Sequence, residues 1–200
     1  MSRFLQQQPL ILASGSAIRC KLLKSLGLEF DVVPSNCDEA SIKNAFQSSD
    51  VYALGQLLAQ SKALEVSHRF PNAFIIAADQ LCIIGEQILD KPMTHKTAIE
   101  HLQLLSGKQH QQIACLCIAK GEQILWQYQS TANVTLLPLN STTIENYLQK
   151  EKPYHSCGAY QFETLGKWLF QEVQGNEDTI LGLPLLPLIA ALKDLKAVQI

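Results

Sequence analysis

The stretch Leu10-Ile11-Leu12-Ala13-Ser14-Gly15-Ser16-Ala17-Ile18-Arg19-Cys20-Lys21-Leu22-Leu23-Lys24-Ser25-Leu26 decides the fold class. Leu10 to Ala13 is apolar without alternation, the pattern of a strand covered on both faces. Ser14-Gly15-Ser16 then supplies turn chemistry and an N-cap, and an amphipathic helix follows that Gly27 can close. The first turns of such a helix carry unpaired N–H groups at the positive end of its dipole. Ser14 and Ser16 therefore either hold a phosphate or carboxylate or serve as an ordinary cap. Arg19 shares a stripe with Leu22, Leu23 and Leu26, and from the mouth of that face its guanidinium can turn toward an anion.

Outward from this junction the chain alternates strands and helices, as an α/β fold requires. Glu29 to Val33 reads as a short strand ending at Pro34, and Cys37-Asp38-Glu39 as a polar loop. Asp50 caps a helix to about His68 with Leu54, Leu57 and Leu58 on one face. Lys62 sits at the edge of that face, where it either snorkels or reaches a buried anion. Ala73 to Ala78 is a continuous apolar strand that ends in Asp79-Gln80. A carboxylate interrupting an apolar run costs several kcal/mol unless paired, so Asp79 caps the strand's open end or meets a cation. Gly85-Glu86-Gln87 is a turn, and Lys91 stands before the stiff Pro92. Thr94 caps a helix to about Ser106. His110 to Ala119 and Gln123 to Leu137 form a hairpin around Lys120-Gly121-Glu122. Asn140-Ser141 caps a helix that Pro153 stops, residues 155–166 form a polar-aromatic loop of the kind that lines sites, Trp168 to Val173 is a last strand, and Gly182-Leu-Pro-Leu leads into a terminal helix.

At 200 residues the chain suits a single domain over residues 1–200, with 47% hydrophobic and 17% charged residues. A net charge of −2 with both signs interspersed offers no field for nucleic acid or an anionic membrane. No apolar run approaches the roughly eighteen residues of a membrane span, and no signal-peptide core is present, so cytoplasmic residence is expected. The six cysteines form no CxxC pair and read as reduced packing residues; the histidines form no zinc pattern. There is no GxGxxG after a strand and no Walker loop. What remains is a dispersed set near element ends: Arg19, Lys62 and Lys91 as phosphate cations, Glu39 and Asp79 as carboxylates for an oxygen-bound metal.

The opening Leu12-Ala13-Ser14-Gly15-Ser16-Ala17-Ile18-Arg19 resembles the Leu-Ala-Ser-x-Ser-Pro-x-Arg start of the Maf (septum formation inhibitor) family, whose members are nucleoside triphosphate pyrophosphatases. The resemblance continues in the family's order through Asp38-Glu39, Leu58-Ala59-Gln60-Ser61-Lys62-Ala63, Ala78-Asp79-Gln80, Lys91-Pro92, Cys157-Gly158-Ala159-Tyr160 with Glu163, Glu172 with Gly175, and Gly182-Leu183-Pro184-Leu185. Asp-Gln rather than Asp-Thr, and Glu151-Lys152-Pro153-Tyr154-His155, are similar to the branch that hydrolyses 7-methyl-GTP; the Asp-Thr branch prefers dTTP and UTP. The chain departs from the pattern at Ala17, Ile18, Cys20, Asp90 and Gln161.

The resemblance implies a mixed twisted sheet flanked by helices, with two lobes and a central nucleotide cleft, as in Maf and ITPase-like folds. It implies release of pyrophosphate from a nucleoside triphosphate, with Mg²⁺ or Mn²⁺ held by Glu39 and Asp79, phosphates met by Ser14, Ser16, Arg19, Lys62 and Lys91, and Asp79 accepting the proton from water. Ile18, Gln80 and Glu163 then face the base. Glu163 can accept hydrogen bonds from the N1–H and N2 amine of guanine, which thymine and uracil cannot match, so 7-methyl-GTP is the expected substrate. A dTTP or UTP pyrophosphatase, or a weakly catalytic nucleotide-binding regulator of cell division, is the alternative, and a homodimer is a possible assembly.

Overall fold

A computed structural model describes residues 5–200. The elements run β1 (Leu5–Gln6), β2 (Leu10–Leu12), α1 (Ala17–Lys24), β3 (Asp31–Val32), α2 (Glu39–Ala45), α3 (Val51–Arg69), β4 (Phe74–Ile84), β5 (Gln87–Leu89), α4 (His95–Leu105), β6 (Gln109–Lys120), β7 (Gln123–Leu136), α5 (Ser141–Glu151), β8 (Phe170–Gln174), α6 (Glu177–Ile180), α7 (Leu185–Asp194) and β9 (Val198–Gln199). The strands form a mixed sheet in the order β3-β2-β4-β6-β7-β8 with β5 paired to β4, and β1 pairs separately with β9. Helices flank that sheet, so the expected α/β class holds. None of the described helices is long and apolar enough to cross a membrane.

The chain divides into two compact units. The first runs through Asp79 and takes in Ala114–Ser130 and Gly182–Ile200. Here β2 is parallel to both β3 and β4, with Leu10 opposite Phe74 and Leu12 opposite Ile76. Parallel neighbours need crossovers, which α1 supplies after β2 and α2 with α3 supply after β3. Leu10, Leu12, Phe74, Ile76, Leu116 and Ile118 share a core with Leu188 and Leu192 of α7. On the opposite face the Cys115 thiol meets the Tyr52 carbonyl at 4.0 Å, which sets α3 against the sheet.

The second unit comprises Gln80–Ile113 and Thr131–Leu181. β5 folds back antiparallel on β4 through the turn at Gly85, whose φ of +60° suits glycine. Ala98, Leu102 and Leu105 of α4 pack with Ile144, Tyr147 and Leu148 of α5, Cys82, Leu136 and Tyr160.

Several expectations need correction. The strand expected over Glu29 to Val33 is only Asp31–Val32, because the Glu29 amide donates to the Gln6 side chain instead of a ladder. The polar loop at Cys37-Asp38-Glu39 is a helix start: the Asp38 carboxylate accepts from the Ser41 amide at 3.0 Å and the Ser41 hydroxyl at 2.7 Å and caps α2. Helix α2 buries none of its residues, so no apolar periodicity announced it. On α3 the buried face runs Leu54, Leu58, Lys62, Val66 in steps of four, which leaves Leu57 exposed and puts Lys62 inside the face rather than at its edge. The strand expected to end at Ala78 continues through Asp79 and Gln80 to Ile84. The last strand starts at Phe170, since Trp168 lies in a 3-10 turn and is 82% exposed.

Residues 155–166 are not an open loop. Gly158, Ala159, Tyr160 and Phe162 are buried. At Gly158 (φ +78°) an added Cβ would sit 2.8 Å from the Cys82 sulfur, and at Gly166 it would sit 2.2 Å from the Gln161 carbonyl, so both positions are closed to larger residues. Tyr160 stacks edge-on against Phe170 at 5.0 Å, and its hydroxyl lies 2.7 Å from His110 Nε2.

Burial of His110 lowers its imidazolium pKa to about 4. Between the ordinary histidine value near 6.5 and about 4, the unfolded chain binds a proton that the folded chain does not, so stability falls as pH falls through that window. This group alone should remove about 2 kcal/mol between pH 7 and pH 5. Denaturant unfolding of the wild type and His110→Gln at both pH values checks it: the variant should lose about 2 kcal/mol less than the wild type on acidification. Equal losses would exclude a buried neutral histidine.

Candidate active site

In the first unit the Ser-Gly-Ser turn is both cap and scaffold. The Ser16 side chain accepts from the Arg19 amide at 3.4 Å to cap α1, and the Ser16 amide donates to the Ser14 hydroxyl at 3.2 Å. Ser14 is buried, Ser16 half-buried. Arg19 does not reach outward. Its Nε donates to the Gly182 carbonyl at 3.0 Å, and its Nη1 donates to the Ala78 carbonyl at 2.8 Å and the Ser14 hydroxyl at 3.4 Å. The guanidinium thus joins the start of α1 to the residue before Asp79 and to the Gly182-Leu-Pro-Leu turn. Ile18, half-buried, is its neighbour on the helix.

Lys62 is the centre of the cluster. Its Nζ lies 2.5 Å from Asp79 Oδ1 and 3.0 Å from Glu39 Oε1. Lys62 and Asp79 are only 8% and 6% exposed, whereas the Glu39 side chain keeps 42% of its surface in water. The lysine therefore reaches a buried anion and does not snorkel. Two thiols record the local field. Burial, and then the charge of Asp79, push the Cys115 thiol up to about 12. Burial and Glu39 raise Cys37, an effect that Lys62 partly offsets.

Two carboxylates converging on one cation form an all-oxygen donor set. Such a set suits a hard divalent ion that completes its shell with phosphate oxygens and water. Among the described residues no group of three or more His, Cys, Asp or Glu forms a protein-only metal cage. The two carboxylates present are donors of the kind that Mg²⁺ or Mn²⁺ takes.

The remaining sequence candidates, Gln80, Lys91 and Glu163, belong to the second unit. Lys91 is exposed. The segment after it is held where the Met93 amide donates to the Tyr154 carbonyl at 2.9 Å, and His95 bridges the Tyr154 hydroxyl at 2.9 Å and Glu145 at 3.0 Å. Glu163 is exposed on the segment after Tyr160. Gln80 is half-buried, and its side-chain nitrogen donates to Gln112 Oε1 at 2.7 Å and to the Ile180 carbonyl at 2.5 Å.

Sequence reasoning missed the partners that hold these side chains: the Ala78 and Gly182 carbonyls under Arg19, and Gln112 and Tyr160 behind Gln80. The carbonyls leave no trace in residue type. Gln112 left none either: it closes the polar stretch Gln109-His110-Gln111-Gln112, yet it is 2% exposed.

The description Maf-like protein matches residues 9–195. A nucleoside triphosphate pyrophosphatase of Legionella pneumophila (strain Corby) is 63% identical over 200 residues, covering 100% of both chains. A 7-methyl-GTP pyrophosphatase of Rhizobium meliloti (strain 1021) is 37% identical over 194 residues, covering 95% of this chain and 98% of its own. Among solved structures, the Ham1 protein of Staphylococcus aureus is 12% identical with a TM-score of 0.48, covering 94% of this chain and 99% of that one. With residues 9–195 matched and a 63% identical relative covered over its full length, the chain belongs to the family of Maf-like proteins.

Proposed function

We propose that this protein is a nucleoside triphosphate pyrophosphatase that prefers 7-methyl-GTP. The observation that carries the reaction class is the buried Lys62 ammonium between Asp79 and Glu39, within a family whose relatives are named for this activity. Water attacks the α-phosphorus, the bond from that phosphorus to the bridging oxygen breaks, pyrophosphate leaves, and the nucleoside monophosphate remains. Asp79 Oδ1 is held by Lys62, and Oδ2 takes the proton from the attacking water. Lys62, Arg19 and Lys91 counter the phosphate charges, and Ser14 and Ser16 present the first turn of α1 to a phosphate oxygen. Glu39 and Asp79 would hold a divalent cation such as Mg²⁺ or Mn²⁺, which would supply further neutralisation of the phosphate charge.

The base preference is supported by the two acceptors of the second unit, Gln80 and Glu163, and by the 7-methyl-GTP pyrophosphatase relative. A carboxylate pairs with the two donors of the guanine edge, and its charge favours a cationic methylated ring. Thymine and uracil offer a single N3–H between two carbonyls.

Asp79→Asn should lower turnover by about a hundredfold or more, as for loss of a general base, with the far-UV circular dichroism unchanged. Detection of pyrophosphate as the first product, lost on adding EDTA, completes this test; orthophosphate as first product, or normal turnover of the variant, would refute the mechanism. For the base, kcat/KM for 7-methyl-GTP, GTP, dTTP and UTP should rank 7-methyl-GTP first in the wild type. Glu163→Gln should narrow that margin by about 1 to 3 kcal/mol, the range for a hydrogen bond to a charged group. A wild-type preference for dTTP or UTP would overturn the assignment.

A further inference from the structure

Behind Gln80 runs a chain of hydrogen bonds whose direction can be read from chemistry alone. Side-chain amide oxygen and nitrogen are close in size, so their assignment must come from their partners. The Ile180 carbonyl can only accept, so the Gln80 atom that meets it is the nitrogen. That nitrogen also meets Gln112, whose facing atom must therefore be its oxygen. Gln112 then turns its own nitrogen to the Tyr160 hydroxyl at 2.6 Å, where the phenol oxygen accepts. The phenol also lies 2.7 Å from His110 Nε2 and hydrogen-bonds the Cys82 thiol.

The two ends of the chain agree. Burial keeps His110 neutral, with a pKa of about 4, so its Nε2 can be an acceptor. Burial also raises the Tyr160 phenol well above its ordinary value, so it keeps the proton it gives. His110, Gln112 and Tyr160 are 2%, 2% and 4% exposed, where water does not compete for these bonds.

We propose that Gln112, Tyr160 and His110 are positioning residues for substrate selection, which lock the Gln80 carboxamide with both N–H groups turned inward and its Oε1 as the only polar atom left for a ligand. Gln80 then reads as a fixed acceptor. A fixed acceptor selects a base edge that presents donors, such as the N1–H and N2 amine of guanine, and rejects a carbonyl placed at the same point. An ordinary glutamine would rotate its amide and accept either. The inference deepens the nucleotide preference above and rests on it for the identity of the base, but the locked amide itself does not.

Two readouts separate the two claims. In ligand-free protein labelled with ¹⁵N, both side-chain amide protons of Gln80 should be protected from exchange by at least about tenfold relative to exposed glutamines, as hydrogen-bonded protons are. In Gln112→Met the proton facing position 112 should lose that protection while the other keeps it. Gln80 amide protons that exchange at the solvent rate in the wild type would overturn the lock whatever the substrate. In steady-state kinetics with GTP and UTP, Gln112→Met and Tyr160→Phe should each raise KM for GTP by about three- to tenfold and narrow the GTP over UTP ratio, with kcat unchanged. Tyr160→Phe keeps the ring packing against Phe170, and an unchanged circular dichroism spectrum establishes that each variant is folded. Protected protons together with base ratios unchanged within about twofold in both folded variants would leave the amide locked and refute its part in selection.

Discussion

The carboxylate inside β4 of the first unit depends on one buried ion pair. A carboxylate in the middle of an 11-residue strand, 6% exposed, would cost several kcal/mol were it not met by a charge of opposite sign. Lys62 meets it from α3. That contact lets β4 run on through Asp79 and Gln80 to Ile84, where composition alone ends the strand. Glu39 joins the same ammonium from the more exposed side, so two negative charges share one positive. Lys62 is thus shared between a buried carboxylate and one that keeps 42% of its side-chain surface in water.

The alternation of strands and helices was legible because most elements carry their own start and stop signals. Asp50, Thr94 and Asn140 cap α3, α4 and α5 as their residue types indicate. The buried runs at Leu10 and Phe74 pair in parallel as unalternating apolar strands do. Helix α2 was not legible, since a helix that buries nothing has no period to detect. The internal place of Lys62 was not legible either, because a lysine on an apolar face fits a snorkelling side chain as well as an ion pair. Only the carboxylate it meets decides between them, and that carboxylate comes from another element 17 residues on.

Arg19, read from sequence as a phosphate cation, has a structural duty in the first unit. Its guanidinium is occupied by the Ala78 and Gly182 carbonyls and the Ser14 hydroxyl, which makes it a tie between three segments of the first unit. Substituting it would loosen the Ser-Gly-Ser turn and the end of β4 together, so a loss of activity on its removal cannot be read as lost phosphate contact alone. The second unit repeats the theme with uncharged groups: Gln80 is adjacent in sequence to Asp79, yet its orientation is governed by Gln112, Tyr160 and the Ile180 carbonyl. The residues 155–166, which composition marks as a site-lining loop, act there mainly by burial of Tyr160.

The central claim is that Lys62 is held in place as the counter-charge of Asp79. A double-mutant cycle on unfolding free energy tests it most directly, with Lys62→Met, Asp79→Asn and the pair measured at neutral pH. The account predicts that Lys62→Met alone costs about 3 to 5 kcal/mol, because it strands a buried carboxylate, and that adding Asp79→Asn recovers a large part of the loss. Strictly additive losses would show that the two side chains do not sense each other and would contradict the account.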